Sequence, residues 1–426
     1  MIFPFSSNID MHVLRRNFFL CILSAILTLS AVAQERTLDY FINTAAQNSP
    51  LLKDYSNQRI ANLIDSLRIL AGYKPQVNGV STNSYAPSIR GWGYDGAVTN
   101  GANFSQLITV SKNIVRKELL QNQLGAIQLL NESLTITGKI TSQDLTKSIT
   151  AQYITAYGNW QQVTFNTELL NLLKKEGAIL KRLTEKGVYR QTDYLSFLIT
   201  IQQQEILISQ ANIQFRNDVL TLNYLSGLTD TAVTVLEKPA IELAIVPEAE
   251  STIFYQQYRL DSLRLRNNDA LIDYNYKPKI SAYADGGYLT SFPSDFYKNF
   301  GVSVGLNIIV PIYDGRQKKM QHDKIGIAER TRQNYRDFFK KQFDQQVAQL
   351  LQQLAATEKL IDQMNGQVKY TEALIEANQK LLETGDVRMA DYLLAIGNYL
   401  ATKNMIRQNN ITKLQLINQI NYWNKK

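Results

Sequence analysis

Gly-Val-Tyr-Arg-Gln-Thr-Asp-Tyr-Leu at 187–195 recurs in similar form as Gly-Asp-Val-Arg-Met-Ala-Asp-Tyr-Leu at 385–393. Five of the nine positions are identical, at an offset of 198 residues. A second pair of blocks, Tyr-Lys-Pro at 73–75 and at 276–278, has an offset of 203 residues. Two matched pairs at nearly the same offset predict a duplicated unit of about 200 residues, which is too long for a solenoid repeat.

Each unit has the same predicted order: a helix, two strands, a very long helix, the glycine-containing turn and a final helix. Tyr-Lys-Pro ends the first helix, because the residue before a proline is pushed out of helical geometry. The predicted bounds are 38–72, 76–86, 98–110, 112–186 and 192–226 in the first unit, and 252–274, 279–290, 299–312, 316–384 and 391–424 in the second. The chain is therefore divided into a first repeat (34–227), a linker (228–251) and a second repeat (252–426).

The long helices are predicted to pack along their whole length. At about 1.5 Å per residue, the first long helix reaches about 110 Å, and the two shorter helices of its unit together reach about 105 Å. Apolar residues recur every seven positions in the second long helix, at Val347, Leu354, Ile361, Val368, Ile375 and Leu382. Leu360, Leu374 and Leu381 are expected to widen this stripe. Such a repeat indicates coiled-coil packing in a rod about 100 Å long.

The N-terminus has the three parts of a secretory signal peptide. Arg15 and Arg16 form the basic region, 18–29 is apolar, and Ala-Val-Ala at 31–33 provides a cleavage site after Ala33. The apolar run is too short for a convincing membrane-spanning helix. Translation from Met1 or from Met11 remains open.

Removal of 1–33 limits the chemistry that is available. The mature chain has no cysteine and a single histidine, His322; the excised segment holds two arginines and one aspartate, so the formal net charge falls from +8 to +7. A nucleic-acid partner would require a local cluster of basic residues, and the sequence contains no such cluster. The Gly-x-Gly-x-x-Gly at 91–96 lies between strands with no following helix, which a dinucleotide site needs. No enzyme activity, cofactor or metal site is expected.

The strands leave two interpretations open. Residues 302–308 alternate apolar with small or polar side chains, as in a soluble sheet on a core or a transmembrane barrel strand. Aromatic residues crowd the hairpin end, as an interfacial belt would: Tyr283, Tyr288, Phe292, Phe296, Tyr297 and Phe300. Four strands cannot close a barrel with a lumen, and an open edge cannot lie in lipid. Membrane strands would therefore have to be shared among several chains.

With these features the mature chain resembles the TolC-type outer-membrane efflux family. The resemblance rests on the duplicated order of elements and on the Gly-x-x-x-x-x-Asp turn in both units. It rests also on Val-Pro-Ile-Tyr-Asp-Gly at 310–315, where a strand returns to a helix, and on Leu-Asn-Tyr-Leu-Ser-Gly at 222–227, which closes the first unit.

The resemblance implies a mainly α fold with a shared transmembrane β-barrel. Three chains would form one 12-stranded barrel in outer-membrane lipid, followed by a long periplasmic α-helical tunnel. The homotrimer would be the outer-membrane channel of a tripartite efflux or type I secretion system. Its partners would be a periplasmic membrane-fusion adaptor and an inner-membrane transporter, with the glycine turns at the periplasmic tip, where the adaptor docks and aspartates narrow the pore.

The candidate site residues are those of the two turns: Gly187, Arg190, Asp193, Gly385, Arg388 and Asp391. The glycines are expected to take positive φ and to end the long helices. Each aspartate either caps a helix N-terminus or contributes to an acidic ring in the trimer, and one role does not exclude the other. Each arginine either neutralises its aspartate across the turn or is solvated.

The alternative function is a soluble periplasmic coiled-coil adaptor or scaffold. Such adaptors also contain helical hairpins, but the hairpin interrupts small β-domains once. The duplicated plan of this chain favours the channel, and cell fractionation would separate the two hypotheses.

Overall fold

The computed structural model describes residues 36–87, 89–92, 101–291 and 297–424. The predicted signal peptide at 1–33 lies outside the described residues, as do 93–96 of the glycine-rich segment and the aromatic residues Phe292 and Phe296. The interpretations that rest on these residues stay predictions.

Both halves contain the same order of elements, as the repeat predicted. The first half contains α1 (Leu38–Asn48), α2 (Pro50–Gly72), β1 (Gln76–Ala86), β2 (Gly101–Ile114), α3 (Lys117–Glu185) and α4 (Gln191–Leu225). The second half contains α5 (Ile253–Asn275), β3 (Lys279–Thr290), β4 (Phe300–Ile309), α6 (Gln317–Thr384) and α7 (Met389–Asn421). No helix among the described residues is both long enough and apolar enough to cross a membrane.

The first helix differs from its prediction, because 38–72 forms two helices and not one. Pro50 is the first residue of α2, where its missing N–H is not needed and its fixed φ suits a helix start. The Ser49 hydroxyl accepts a hydrogen bond from the backbone N–H of Leu52 at 3.4 Å. The Asn48 side chain donates to the carbonyl oxygens of Ser226 and Gly227 at 3.1 and 3.2 Å, which holds the end of α1.

Two other boundaries also differ from the prediction, one because of strand pairing and the other because of a proline. Strand β2 extends to Ile114, which pairs with Ile280, so α3 begins five residues later than predicted. Strand β4 ends at Ile309, before Pro311, which cannot donate a ladder hydrogen bond. The Tyr-Lys-Pro prediction is confirmed, since Tyr73 and Tyr276 are the C-caps of α2 and α5.

The chain divides into two compact units, one of which comprises residues 36–48, 145–243 and 353–419. One of its two hydrophobic clusters centres on Phe41, Tyr153 and Phe215. The Tyr153 hydroxyl donates to the Glu237 carbonyl oxygen at 2.9 Å, and burial raises the pKa of Tyr153 to about 12. The other cluster lies beneath the two glycine turns.

The seven-residue repeat of α6 is confirmed at four of its six positions, while Val347 and Ile361 are half-buried. The residues expected to widen the buried stripe were wrongly chosen. Leu354, Val368, Ile375 and Leu382 are buried, whereas Leu360, Leu374 and Leu381, which were expected to widen the stripe, are each more than 40% exposed. The second buried line consists of Phe343, Leu350, Met364 and Thr371. These residues lie three or four positions from the first line, which is the spacing of a and d positions in a coiled coil.

The second unit comprises residues 49–144, 244–352 and 420–424. Its four strands form one antiparallel sheet in the order β1-β2-β3-β4. Within the described residues β1 and β4 each pair with a single neighbour, so both are edge strands. The predicted repeat and linker boundaries cross both units and stay predictions.

Candidate functional site

The first glycine turn joins α3 to α4. Gly187 has a φ of +76°, a backbone conformation that costs glycine little. The Gly187 N–H donates to the Thr184 carbonyl at 3.0 Å, and the Val188 N–H donates to the Leu183 carbonyl at 2.9 Å. This pair of bonds is the Schellman motif, which satisfies the last carbonyls of a helix.

The second turn has the same geometry. Gly385 has a φ of +83°. Its N–H donates to the Leu382 carbonyl at 3.3 Å, and the Asp386 N–H donates to the Leu381 carbonyl at 2.9 Å. Positive φ at both glycines, predicted from the repeat, is therefore confirmed.

The two turns lie against each other, although they are 198 residues apart. The Tyr189 hydroxyl donates to the Val387 carbonyl oxygen at 2.9 Å. A Cβ on Gly385 would lie 2.5 Å from the Val188 Cγ1 atom. Burial, together with the nearby Asp386 carboxylate, raises the pKa of Tyr189. Sequence analysis missed this contact. Tyr189 and Val387 occupy the same position in the two copies, and the copies differ at that position.

Each aspartate is the third residue of its helix, but the two make different hydrogen bonds. Asp193 Oδ2 accepts from the backbone N–H of Arg190 at 3.2 Å. Asp391 instead accepts from Nε and Nη2 of Arg388, at 2.8 and 3.1 Å. The Arg388 side chain is 85% exposed, so this ion pair contributes little stability. Arginine therefore neutralises the aspartate in one turn only, and both carboxylates complement the positive end of a helix.

Beneath the turns the structure buries a carboxyl group that sequence analysis did not single out. Glu176 of α3 is 2% exposed, and its Oε1 accepts a hydrogen bond from Gln379 Nε2 at 2.7 Å. Burial raises the pKa of Glu176 above its ordinary value of 4.5. Within the described part of the chain, its Oε2 and the hydroxyl of the fully buried Tyr392 have no hydrogen-bond partner. No periodicity reveals such a residue, since glutamate is common on exposed helix faces.

One face of the sheet is apolar along β4 and most of β3 but mixed on β1 and β2, where it also carries Asn83, Gln106 and Lys112, and the opposite face is mostly polar. The strand register places the even-numbered residues of β2, β3 and β4 on one face with the odd-numbered residues of β1. This apolar face is widely exposed: Val302 and Val304 are each 84% exposed, and Ile108 is 62% exposed. The opposite face contains Ser, Thr, Asn and Asp, with Asp285 and Ser303 hydrogen-bonded across β3 and β4 at 3.3 Å.

The aromatic prediction is confirmed in part. Tyr288 pairs with Phe300 at the hairpin end, and Tyr297 lies between the two strands. Tyr283 was wrongly placed there, because it lies in the middle of β3, on the polar face. Its ring packs over its cross-strand partner Gly305, where an added Cβ would lie 2.5 Å from the ring.

His322 on α6 takes part in an ion-pair cluster. Its Nδ1 lies 2.7 Å from Asp269 Oδ1, and its Nε2 lies 3.4 Å from Asp273 Oδ1. The hydrogen bond with Asp269 raises the pKa of His322. The described residues contain no group of three His, Cys, Asp or Glu side chains that could hold a metal ion.

Comparison of the whole chain with solved structures finds outer-membrane channels. CusC, solved in a study of transmembrane channel formation, matches with a TM-score of 0.74 over 92% of this chain and 93% of CusC, at 13% identity. The outer membrane protein VceC of Vibrio cholerae matches with a TM-score of 0.72 over 91% of this chain and 96% of its own, at 13% identity. The MtrE outer membrane channel of Neisseria gonorrhoeae, in its open state, matches with a TM-score of 0.71 over 91% and 89%, at 12% identity.

No protein-family model matches the sequence, and no curated protein matches it. The shared feature is therefore the fold, which is the fold of outer-membrane channels that the resemblance predicted.

Proposed function

We propose that this chain is one subunit of a TolC-type outer-membrane channel. Three copies form a passive duct, without enzyme activity, in a tripartite efflux or type I secretion system. A periplasmic membrane-fusion adaptor connects the duct to an inner-membrane transporter. The fold that the chain shares with solved outer-membrane channels supports this function.

The observation that carries the proposal is the exposed apolar face of the sheet. Leu306 is 68% exposed and Ile308 is 59% exposed, beside Val302 and Val304. An apolar surface of this kind is stable against lipid and costly against water. The edge strands β1 and β4 each have an unpaired side, and unpaired backbone groups cannot remain in lipid. Pairing β4 of one copy with β1 of the next satisfies both edges, and three copies close a barrel of 12 strands.

The glycine turns are proposed to form the periplasmic end of the duct. In a trimer, six such turns surround one opening, and the rings of Asp193 and Asp391 lie close to the symmetry axis. Like charges gathered in this way attract cations and repel one another, so the closed state becomes sensitive to salt. Within one chain each aspartate already complements the N-terminus of its helix. We therefore assign to Asp193 and to Asp391 both the capping of that helix and a part in the gate of the duct.

Cell fractionation and gel electrophoresis test the channel. We expect the protein in the outer-membrane fraction, as an oligomer that persists in detergent and dissociates on heating. Recovery in the soluble periplasm would contradict the channel and favour the adaptor or scaffold alternative.

Planar-bilayer conductance tests the aspartate rings. Asp193→Asn combined with Asp391→Asn removes the charges but retains hydrogen-bond acceptors at the helix starts, so we expect weaker cation preference with the fold intact. Asp344→Asn with Asp362→Asn removes two exposed carboxylates of α6 and serves as the control. Unchanged conductance and ion preference in the first variant would remove the gate from the proposal and leave the channel. Cross-linking in cells followed by co-purification identifies the adaptor.

A further inference from the structure

A cavity of about 220 Å³ lies where the sheet meets the helices within one unit of the chain. It is formed where β2 ends, where β3 begins and where α2 and α5 end. Its apolar walls come from Ile114, Leu119, Pro278 and Ile280. The glycine turns and the hairpin end contribute none of the lining residues, so the cavity is separate from both.

The cavity is continuous with the apolar face of the sheet. Ile114 pairs with Ile280 across β2 and β3, and Ile280 pairs with Ile308 across β3 and β4. These three isoleucines form the last rung of the apolar face at its helical end. Ile114 is 53% exposed and Ile308 is 59% exposed, so the apolar face is accessible beside the cavity.

The polar part of the cavity is basic. Arg116, Lys277 and Lys279 line it, and no aspartate or glutamate is among the lining residues that the structure describes. The Lys277 Nζ lies 4.6 Å from the centre of the Tyr274 ring, which keeps the ammonium group beside the cavity wall. Lys279 is an odd-numbered residue of β3, so its side chain leaves the strand on the face opposite Ile280. Arg116 and Lys277, without a carboxylate beside them in the lining, are complementary to an anionic group.

Two tyrosines line the cavity together with the basic residues. Tyr73 and Tyr274 line the cavity, and the Tyr73 hydroxyl donates to Gln123 Oε1 at 2.5 Å, which fixes its ring. Tyrosine is enriched at membrane interfaces, because its ring is apolar while its hydroxyl remains in a polar layer. Basic residues at this level interact with lipid headgroups.

We propose that this cavity binds the headgroup of an anionic phospholipid, with the acyl chains lying on the Ile114–Ile280–Ile308 rung. The proposal rests on the proposed function, which places the sheet in the membrane. The cavity is smaller than the roughly 300–1,000 Å³ of sites for whole drug-sized ligands, which suits a phosphate and glycerol and excludes a complete lipid. Arg116 and Lys277 hold the phosphate, and one lipid per subunit seals the junction between sheet and helices.

Native mass spectrometry of the full mature protein in nonionic detergent tests this site, with phosphatidylglycerol and phosphatidylcholine as probes. We expect wild type to retain phosphatidylglycerol in preference to phosphatidylcholine. Arg116→Gln with Lys277→Gln is expected to weaken phosphatidylglycerol binding by about tenfold or more. The control, Lys341→Gln with Lys359→Gln, removes the same charge from exposed positions of α6 and should bind as wild type does.

Equal binding by the cavity variant and wild type would overturn the proposal, as would equal retention of the two lipids by wild type. Loss of binding in the control variant as well would also overturn it, because the effect would then be one of net charge. Outer-membrane fractionation and conductance of the same variants separate this site from the channel. A variant that lies in the outer membrane and conducts, but binds phosphatidylglycerol as wild type does, contradicts the lipid site alone.

Discussion

At the residue scale, the two turn glycines share a conformation but not an environment. Gly187 has open space where a Cβ would lie, so a substitution there meets only the strain of positive φ. Gly385 has the same strain, and a Cβ there would also overlap Val188 of the other turn. The loss of stability when one of these glycines is replaced by alanine therefore depends on a contact between the two halves of the chain.

We expect Gly187→Ala to lower the stability of the mature protein by about 1–2 kcal/mol, the cost of a left-handed residue with a Cβ. Gly385→Ala is expected to cost more, because Val188 must move. Gly366→Ala is the control, since this α6 glycine is helical and has open space around it, and alanine there should be neutral or slightly stabilising. Thermal unfolding followed by circular dichroism ranks the three variants. Equal melting temperatures for Gly187→Ala and Gly385→Ala would show that the two turns do not touch.

Glu176 makes stability depend on pH. Its pKa is raised by burial, so its contribution to stability is complete below pH 4.5 and is lost as the pH rises through its folded-state pKa. Glu176→Gln keeps a partner for Gln379 and cannot ionise. We expect it to melt a few degrees above wild type at about pH 8 and to match wild type at about pH 4.

Glu168→Gln, on an exposed position of the same helix α3, provides the control and should follow wild type at both pH values. A Glu176→Gln variant whose difference from wild type is the same at both pH values would place the carboxyl group in contact with water.

At the scale of elements, the middle of the sheet depends on one aromatic–glycine pair. Glycine weakens a strand because it has no side chain to pack, and a cross-strand aromatic ring restores this packing. Tyr283 lies over Gly305 in this way. The pair belongs to the polar face, and we expect it to hold β3 and β4 in register.

Gly305→Ala is expected to displace the Tyr283 ring and to reduce assembly of the heat-dissociable oligomer. Gly301→Ala, on the same strand with nothing within 4 Å of the added Cβ, is the control and should assemble normally. Adding Tyr283→Ala to Gly305→Ala should restore assembly, because it removes the overlapping ring. Gel electrophoresis with and without heating measures the oligomer. If the Gly301 and Gly305 variants assemble alike, the register does not depend on the pair.

At the scale of the whole molecule, the two faces of the sheet predict opposite responses to charge. Val304 lies on the apolar face and its neighbour Ser303 lies on the polar face, beside Asp285. In the proposed channel, Val304→Lys would place an ammonium group against lipid, which costs about 2–4 kcal/mol at the bilayer midplane. Ser303→Lys faces the polar side and gains an opposite charge across the strand.

We therefore expect Val304→Lys to be depleted from the outer-membrane fraction and Ser303→Lys to assemble with altered ion preference. Quantitative immunoblotting of the membrane fractions and planar-bilayer recording measure these two outcomes. Depletion of both variants, or of neither, would contradict the assignment of the faces.

Much of the fold could be predicted because it depends on local rules. Positive φ at Gly187 and Gly385, the helix ends at Tyr73 and Tyr276, and the buried line through Leu354 and Leu382 all follow from turn chemistry or periodicity. The ends of helices and strands were less predictable. Strand β2 ends at Ile114 because Ile114 still pairs with Ile280, which is more than 160 residues away in the sequence. Pro50, whose fixed φ favours the first position of a helix, begins α2 within the segment that was predicted to be one helix.

The duplication, the order of elements and the positions of the two turns could all be predicted, because short repeated blocks and regular spacing encode them. The hydrogen bond from Tyr189 to Val387, the burial of Glu176 and the contact of Tyr283 with Gly305 became known only from the folded chain. Folding also brought Arg116 beside Lys277 in one cavity. These contacts join residues that are far apart in the chain, and no local propensity encodes which distant side chain will fill a given space.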